Sequence, residues 1–200
     1  MNVLIVYAHP SKISYTFQIL TQLIQELGKE HYDVALSDLY EMNFLSDMTA
    51  KEFEREGSGN LELPVSNDVM AEHRKIEAAD CIIFLYPVWW SDCPAKLKGW
   101  FDRVFSVGYA YGYEGGNKIQ KMKALKLAQV ICTAGYSNEY LKEIGIAGSM
   151  ETIMLGDRLG SRFENKDMTI LGGTLKIDDV RQEHSDKIVE VVNRIKRCCH

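Results

Sequence analysis

The stretch Asn2-Val-Leu-Ile-Val-Tyr7 opens the chain with an almost unbroken run of apolar residues. A strand buried on both faces has this composition, whereas a strand with one solvated face alternates apolar and polar residues. A second run of the same kind, Cys81-Ile-Ile-Phe-Leu-Tyr86, lies further along the sequence. Both runs predict central strands of a sheet that is covered by helices on its two faces.

Helical patterns alternate with strand-like segments along the chain. In Thr16–Lys29 the apolar residues recur at three- and four-residue spacing, which is typical of an amphipathic helix. Pro94 is expected at the first position of another helix, where a proline is tolerated. The other predicted strands are Asp33–Asp38, Lys126–Thr133 and Met168–Leu171, and the other predicted helices are Asn67–Ala79, Pro94–Ser106, Met150–Leu159 and Asp178–Lys196. This alternation predicts a single α/β domain over residues 1–200 with a parallel sheet.

Composition and charge narrow the class of protein. The net charge of −5 argues against nucleic acid and anionic membranes as the main partners. No apolar run reaches the roughly 18 residues that a membrane helix needs. The N-terminus has no basic region of the kind that begins a signal peptide. We therefore expect a cytoplasmic protein without integral membrane association.

The five cysteines show no zinc-type spacing, and we expect no metal site. Cys81 and Cys132 lie in apolar runs, which predicts buried and reduced thiols. The tail Cys198-Cys199-His200 is interpreted as a frayed end rather than as a metal site.

The stretch Glu41–Ser66 is the least regular part of the sequence. Gly57-Ser58-Gly59-Asn60 within it predicts a mobile turn. Connections of this length in a compact domain are usually functional or partly disordered. We expect a surface excursion near the functional site.

The loops that follow strands one, three and four form the candidate site, because ligands of open parallel sheets bind outside the carboxyl ends of the strands. The first loop, Ala8–Thr16, contains no glycine and fits neither a dinucleotide-binding loop nor a Walker A loop. Its histidine, its hydroxyls and the free N–H groups of a helix start suit a phosphate bound without a metal. The alternative is that Ser14 or Thr16 simply caps the helix.

The second loop, Tyr86–Pro94, carries the adjacent tryptophans Trp89 and Trp90. Large flat side chains beside exposed backbone amides can stack on a planar ring and hydrogen-bond its edge. The alternative is that both tryptophans pack beneath a neighbouring helix. The third loop, Cys132–Asn138, has small residues that let a ligand approach the main chain, although an ordinary strand-to-helix turn needs the same residues. Convergence of three such loops at one sheet edge favours a binding site.

These segments resemble the NAD(P)H:quinone reductase family and its bacterial relatives among the flavodoxin-like NAD(P)H oxidoreductases. The most specific match is Tyr86-Pro-Val-Trp-Trp-Ser-Asp-Cys-Pro-Ala-Lys-Leu-Lys-Gly-Trp-Phe-Asp-Arg-Val-Phe105, which continues in Tyr109-Ala-Tyr-Gly-Tyr113. Further matches are Ala8-His9 with Ser14-Tyr15-Thr16, Asp38-Leu-Tyr-Glu-Met-Asn-Phe44 and Glu77-Ala-Ala-Asp80. The resemblance covers nearly the whole chain and implies a flavodoxin-like fold with five parallel strands in the order 2-1-3-4-5 and helices on both faces.

The resemblance also implies roles for individual residues. The residues that would hold the flavin phosphates are His9, Ser14, Tyr15 and Thr16. The residues that would line the isoalloxazine ring are Pro87, Val88, Trp89, Trp90, Thr133, Ala134 and Gly135. Tyr140 would reach the O2 and N1 region of the ring, Arg181 would contact the dinucleotide half of FAD, and Tyr140 and Trp90 are the expected catalytic residues. The substrate pocket would contain Ser91, Tyr111 and Tyr113, and the two tyrosines would be lent to the partner subunit of a homodimer.

Two departures from the family pattern concern this site. The family's quinone reductases have a histidine six residues after the tyrosine that matches Tyr140, and Ile146 stands at that position here. The C-terminal extension of the mammalian members is also absent. A charge-compensating group is therefore missing, and a more open substrate pocket is expected.

The implied function is a flavin-dependent NAD(P)H oxidoreductase with a two-electron ping-pong reaction. NAD(P)H would reduce the flavin, and a quinone or another small acceptor would reoxidise it. Tyr15 and Arg181 favour FAD, while FMN and either nicotinamide cofactor stay open. One alternative is a flavin-bearing regulatory subunit of a potassium-efflux transporter. Another is a one-electron carrier like flavodoxin, which the tyrosines of Tyr109–Tyr113 argue against, since a carrier needs no substrate pocket.

Overall fold

Five parallel strands form the central sheet of the protein, described here from a computed structural model. The structure describes residues 1–114, 117–118 and 120–199, with the backbone alone for 113, 114, 117 and 118. The strands are β1 (Asn2–Tyr7), β2 (Asp33–Asp38), β3 (Cys81–Pro87), β4 (Leu125–Thr133) and β5 (Phe163–Leu171). Their order in the sheet is β2-β1-β3-β4-β5, and every pairing is parallel, which confirms the predicted topology. Outside this sheet, Tyr113–Glu114 pairs with Asn117–Lys118 in an antiparallel arrangement.

The helices of the protein alternate with these strands. They are α1 (Tyr15–Lys29), α2 (Ala50–Ser58), α3 (Asn67–Ala78), α4 (Ala95–Val104), α5 (Asn138–Glu143), α6 (Ile146–Glu151) and α7 (Ile177–Cys199). A π-helical segment, Thr152–Leu159, continues α6, and a short 3₁₀ turn, Thr174–Lys176, precedes α7. Among the described residues no helix combines the length and the apolar character needed to cross a bilayer.

Three predicted boundaries differ from the structure. Pro94 is the N-cap of α4 and not its first helical residue, because its backbone is still extended at ψ 149°. The single helix predicted over 150–159 is the end of α6 followed by the π-helical segment. β5 begins at Phe163, five residues earlier than predicted, because its polar first half lies at the sheet edge and lacks the apolar pattern of a central strand.

Two apolar cores lie on opposite faces of the sheet, so helices cover both faces as expected. On one face α1 and α7 pack through leucine, isoleucine and valine side chains such as Leu23, Leu27 and Ile188. On the other face α3, α4 and the π-helical segment pack around the fully buried Trp100. Side chains alternate between the faces along a strand, so Leu4 and Ile5 of β1 belong to different cores.

The excursion 41–66 contains a regular helix, so its predicted irregularity is wrong for residues 50–58. Thr49 and Glu52 form a capping box at the start of α2, and Gly59 ends the helix at φ 64°. The buried Arg103 of α4 donates to both Glu52 and Asp68, at 2.7 and 2.6 Å. Although burial raises the pKa of Glu52, hydrogen bonds from Arg103, Thr49 and Ser66 hold it at about 2. A two-turn helix with few apolar residues gives little periodic signal, and this ionic anchor is formed only in the folded chain.

The C-terminal segment is helical up to Cys199, and the prediction of a frayed end is wrong for Cys198 and Cys199. Cys199 is buried in the core beneath β3, and its carbonyl accepts a 2.7 Å hydrogen bond from Lys126 Nζ. Cys81 and Cys132 are buried with free thiols as predicted. His200 lies outside the described residues.

Candidate active site

Exposed apolar side chains gather on the loops at the carboxyl ends of the strands. Trp90 is fully exposed, and Ile13, Leu175 and Tyr136 are 91%, 78% and 59% exposed. These four residues follow β3, β1, β5 and β4 respectively. Among the five most exposed large apolar side chains of the described residues, only Phe53 on α2 lies elsewhere. The exposed apolar surface therefore lies at the edge where ligands of open parallel sheets bind.

The tryptophan loop makes a tight turn after β3. The N–H of Trp89 donates to the carbonyl of Asp92 at 2.9 Å, and the N–H of Asp92 donates back at 3.1 Å. Trp90 and Ser91 both have positive φ, at 50° and 62°, as in a type I′ turn. The turn projects Trp90 into solvent, so the alternative that both tryptophans pack beneath a helix is wrong for Trp90. Trp89 is partly exposed, and its ring centroid lies 6.1 Å from that of His9.

Backbone amides of this loop divide into engaged and free groups. The N–H of Val88 donates to the carbonyl of Thr133 at 2.8 Å, and Pro87 has no N–H and is buried as the last residue of β3. The N–H groups of Trp90 and Ser91 have no acceptor among the residues that the structure describes. These two amides are therefore the ones available to the edge of a ligand.

The loop after β1 places His9 and Ser14 at the start of α1. Nδ1 of His9 accepts the N–H of Ser11 at 2.9 Å, and burial lowers the pKa of His9. The neutral ring then carries its proton on Nε2, which can donate to an anion. Ser14 caps α1, since its Oγ accepts the N–H of Phe17 at 3.1 Å. Thr16 does not cap the helix: its hydroxyl shares a 2.8 Å hydrogen bond with that of Thr133 and joins the first loop to the end of β4.

Tyr15, Arg181 and His184 form a cluster between α1 and α7. The Tyr15 hydroxyl lies 3.0 Å from Nδ1 of His184, and the Arg181 guanidinium lies 5.8 Å from the centre of the Tyr15 ring. Arg181 also donates to Gln18 at 3.0 Å. A cavity of about 280 Å³ opens beside these side chains. His184 was missed by the sequence reasoning, because a histidine in a predicted helix gives no signal until the fold places it beneath Tyr15.

The loop after β4 is closed by the residues that follow β5. The N–H of Ala134 donates to the carbonyl of Leu171 at 3.0 Å, and the carbonyl of Ala134 accepts the N–H of Thr174 at the same distance. A side chain at Gly135 would come within 3.4 Å of Leu175. The small residues therefore serve the turn itself, as the alternative interpretation held, and they also leave room beside Leu175.

Tyr140 stands on α5 with its ring partly exposed. Its backbone N–H donates to Oγ of Ser137, the N-cap of α5, at 3.3 Å, and its ring centroid lies 5.1 Å from that of Tyr136. The Tyr140 hydroxyl has no hydrogen-bond partner within the described ranges. Ile146, at the position of the family's histidine, is half-buried and packs against Ala134, Leu141 and Ala147.

Tyr109 and Tyr111, called the tyrosine segment below, pack against their own chain. The Tyr109 hydroxyl donates to Glu77 at 2.8 Å, and its ring stacks on His73. The Tyr111 hydroxyl donates to Glu56 of α2 at 2.8 Å, and part of its ring stays exposed. The side chain of Tyr113 lies outside the described residues. The excursion thus holds one of the predicted substrate-pocket tyrosines.

A family profile described as a flavodoxin-like fold matches residues 1–190. The chain belongs to this flavodoxin-like family. An uncharacterized NAD(P)H oxidoreductase of Haemophilus influenzae is 33% identical over 181 residues, which cover 90% of this chain and 87% of the relative. Rat NAD(P)H dehydrogenase [quinone] 1 is 35% identical over 167 residues, and the match spans 76% of this chain and 60% of the rat enzyme.

The fold is also similar to that of a solved structure. The NAD(P)H:quinone oxidoreductase of Methanothermobacter marburgensis superposes with a TM-score of 0.89 at 42% identity, covering 96% of this chain and 97% of that one. The predicted fold and the predicted membership among NAD(P)H:quinone reductases are confirmed, and the chain belongs with oxidoreductase enzymes.

The stability of this flavodoxin-like protein should decrease as the pH falls from about 7 to about 5.5. Burial lowers the pKa of His9, His73 and His184 below the ordinary value of 6.5. The unfolded chain therefore binds protons that the folded chain excludes, and unfolding becomes easier as the pH falls. Calorimetric Tm measured across this range checks the slope. His73→Gln should flatten the slope, and a slope equal to that of the wild type would contradict the assignment.

Proposed function

We propose that the protein is a flavin-dependent NAD(P)H:quinone oxidoreductase with a two-electron ping-pong reaction. The observation that carries the proposal is the gathering of Trp90, Ile13, Leu175 and Tyr136 at the carboxyl edge of the sheet. Such exposure is costly for a soluble protein unless a flat apolar ligand covers it. A bound flavin would accept a hydride from NAD(P)H and deliver two electrons to a quinone.

The residues present fit a flavin in chemical type. Nε2 of His9 and the first amides of α1 would hold phosphate oxygens at the positive end of the helix dipole. The indole of Trp90 would stack on the ring system, and the free amides of Trp90 and Ser91 would donate to its polar edge. Thr133, Ala134 and Gly135 would face the ring from the neighbouring strand end. These donors are fixed before binding, which stabilises charge that develops in the reaction.

Tyr140→Phe should slow flavin reduction by NAD(P)H about tenfold, with flavin affinity almost unchanged. The Tyr140 hydroxyl is free to donate, and Ile146 provides no polar partner. The hydrogen bond from the Tyr140 hydroxyl would strengthen as the neighbouring edge of the flavin ring becomes anionic. Loss of this hydrogen bond therefore affects the transition state more than flavin binding. A loss of about 1.5 kcal/mol is expected, below the value for a dry oxyanion site. Stopped-flow reduction measures the rate; Tyr136→Phe is the matched control, and a wild-type rate for Tyr140→Phe would remove the hydroxyl from the mechanism.

Arg181→Gln should weaken FAD binding roughly tenfold and leave FMN binding unchanged. FAD is favoured because the cavity beside Tyr15 and Arg181 offers an aromatic face and a cation to the dinucleotide half. FMN has no such half, so it does not need this cavity. Titration of the cofactor-free protein with both flavins checks the expectation, and Arg197→Gln on the same helix serves as control. An equal loss of affinity for FAD and FMN would show that Arg181 does not contact the dinucleotide half of FAD.

The function itself is tested by purifying the protein and identifying the flavin that denaturation releases. We expect about one flavin per chain, and turnover with NAD(P)H and a soluble quinone. A colourless protein that binds neither added FAD nor added FMN would rule out the proposal. Bound flavin without turnover would instead favour a one-electron carrier.

A homodimer belongs to the same proposal. Tyr111 keeps part of its ring exposed after bonding to Glu56, and tyrosine is enriched in interface cores. The exposed ring would lie over the partner subunit's site and, with Tyr113 and Ser91, help to bind the acceptor. Sedimentation at micromolar concentration measures the oligomeric state. A fully active monomer would contradict this part, and no relative reported above supports the alternative of a transporter subunit.

A further inference from the structure

The tryptophan turn has a backbone conformation that its residues do not favour. Trp90 and Ser91 lie at φ 50° and 62°. Type I′ turns favour Asn-Gly or Gly-Gly at these two positions, because side chains crowd the backbone at positive φ. Strained backbone of this kind persists only where the surrounding structure holds it, and it is frequent at functional sites.

An ion pair holds the end of this turn. The N–H and C=O of Asp92 close the turn, and its carboxylate accepts a hydrogen bond from each of the two terminal nitrogens of Arg158, both at 2.7 Å. The same carboxylate accepts the N–H of Cys93 at 2.6 Å. Hydrogen bonding from Arg158 is the main cause that lowers the pKa of Asp92. Three hydrogen bonds therefore hold the Asp92 carboxylate in place.

Arg158 is itself held firmly. Its side chain is 9% exposed, and its guanidinium lies 5.7 Å from the centre of the Phe101 ring of α4. Arg158 belongs to the π-helical segment Thr152–Leu159. Such segments are rare in proteins, and where they occur they often lie at functional sites. A bidentate pair from an arginine that is largely shielded from solvent restricts direction as well as distance. The turn is therefore fastened to a second element of the fold.

We propose that Asp92 and Arg158 are positioning residues that keep Trp90 and Ser91 in the left-handed conformation and so present their two amides to the ligand. The pair holds the unfavourable turn in place without touching the ligand. The consequence for flavin binding rests on the proposed function. The consequence for the turn does not, because it concerns the backbone alone.

A thermodynamic cycle tests this role. Arg158→Met removes the anchor, and Ser91→Gly removes the crowding at φ 62°, since glycine adopts positive φ without cost. If the anchor serves to hold the turn, Arg158→Met should raise the flavin Kd about tenfold in the wild type but less than threefold in the Ser91→Gly background. Arg194→Met, which breaks the ion pair with Asp167 on another part of the fold, is the matched control and should leave Kd unchanged.

Hydrogen exchange of the peptide that contains residues 88–92, measured without flavin, gives a second readout. Exchange should speed up in Arg158→Met, stay near wild type in the Ser91→Gly double variant, and be unaffected by Arg194→Met. The proposal would be overturned if Arg158→Met raised the Kd equally in the wild type and in the Ser91→Gly variant. It would also be overturned if Arg158→Met lowered the Tm but left both the exchange rate and the Kd unchanged. If the wild type binds no flavin, the proposed function fails, and the exchange measurements alone then support or overturn the positioning role.

Discussion

Replacing Trp90 with alanine is expected to weaken flavin binding about 30-fold while the Tm changes by no more than about 2 °C. Stacking of an aromatic side chain on a heterocyclic base contributes roughly 1–3 kcal/mol, and under the proposed function the fully exposed indole of Trp90 would contribute in the same way. A core tryptophan would cost about 3–5 kcal/mol of stability, but Trp90 makes no core contacts that could be lost. The variant should also slow hydride transfer, because a poorly held ring reacts from a less favourable position.

Two controls sharpen this test. Trp90→Phe keeps a stacking face and should recover most of the affinity. Phe53→Ala removes another exposed ring, which is 69% exposed on α2 and away from the sheet edge, and should leave flavin binding unchanged. Wild-type affinity and single-turnover rate in Trp90→Ala would exclude stacking and leave the exposed edge without its proposed ligand.

Replacing Gly99 with alanine is expected to lower stability by about 3 kcal/mol or more. A Cβ at this position would lie 2.1 Å from the carbonyl oxygen of Ser46 and 2.6 Å from its Cα. Both are backbone atoms, so the excursion 41–66 must move away from α4. The gain in helix propensity, at most about 1 kcal/mol, does not offset this clash. Thermal unfolding should show a Tm lower by roughly 6–12 °C.

Gly148→Ala is the matched control for this prediction. Gly148 also lies in a helix, and a Cβ there would meet nothing within 4 Å. The same chemical change should therefore raise the Tm slightly. Because α2 holds Tyr111 through Glu56, displacement of the excursion should also loosen the tyrosine segment. Equal effects of the two substitutions would mean that the close approach of Ser46 is unimportant.

Much of the fold could be predicted because central strands carry their own signal. β1 and β3 are buried on both faces, so their apolar runs mark them directly, and the spacing of its apolar residues marks α1 as an amphipathic helix. The edge strand β5 was predicted too short, since Glu164, Asn165 and Lys166 near its start are exposed polar residues that interrupt the apolar pattern. Helix α2 was missed because it buries none of its apolar side chains, and its ion pair between Glu52 and Arg103 forms only in the folded chain.

The site was predicted in its parts but not in its arrangement. Hydroxyls, tryptophans and small residues at strand ends were visible in the sequence, and their loops do meet at one edge. Asp92, Arg158 and His184 were not singled out, because a charged residue in a loop or helix has no distinctive spacing. Thr16 was expected to bind a ligand or cap α1, yet its hydroxyl is hydrogen-bonded to the hydroxyl of Thr133.

The sequence by itself determined the class of fold, the strand order through its family resemblance, and the loops that form the site, since these depend on local apolar pattern and on turn chemistry. Only the tertiary structure decided which amides stay free, which hydroxyls are already bonded, and that Trp90 and Ser91 adopt positive φ beside an Asp92–Arg158 pair. These features arise from contacts between residues far apart in the chain. Local pattern cannot encode such contacts, because each depends on where the other partner is brought by the packing of the whole sheet.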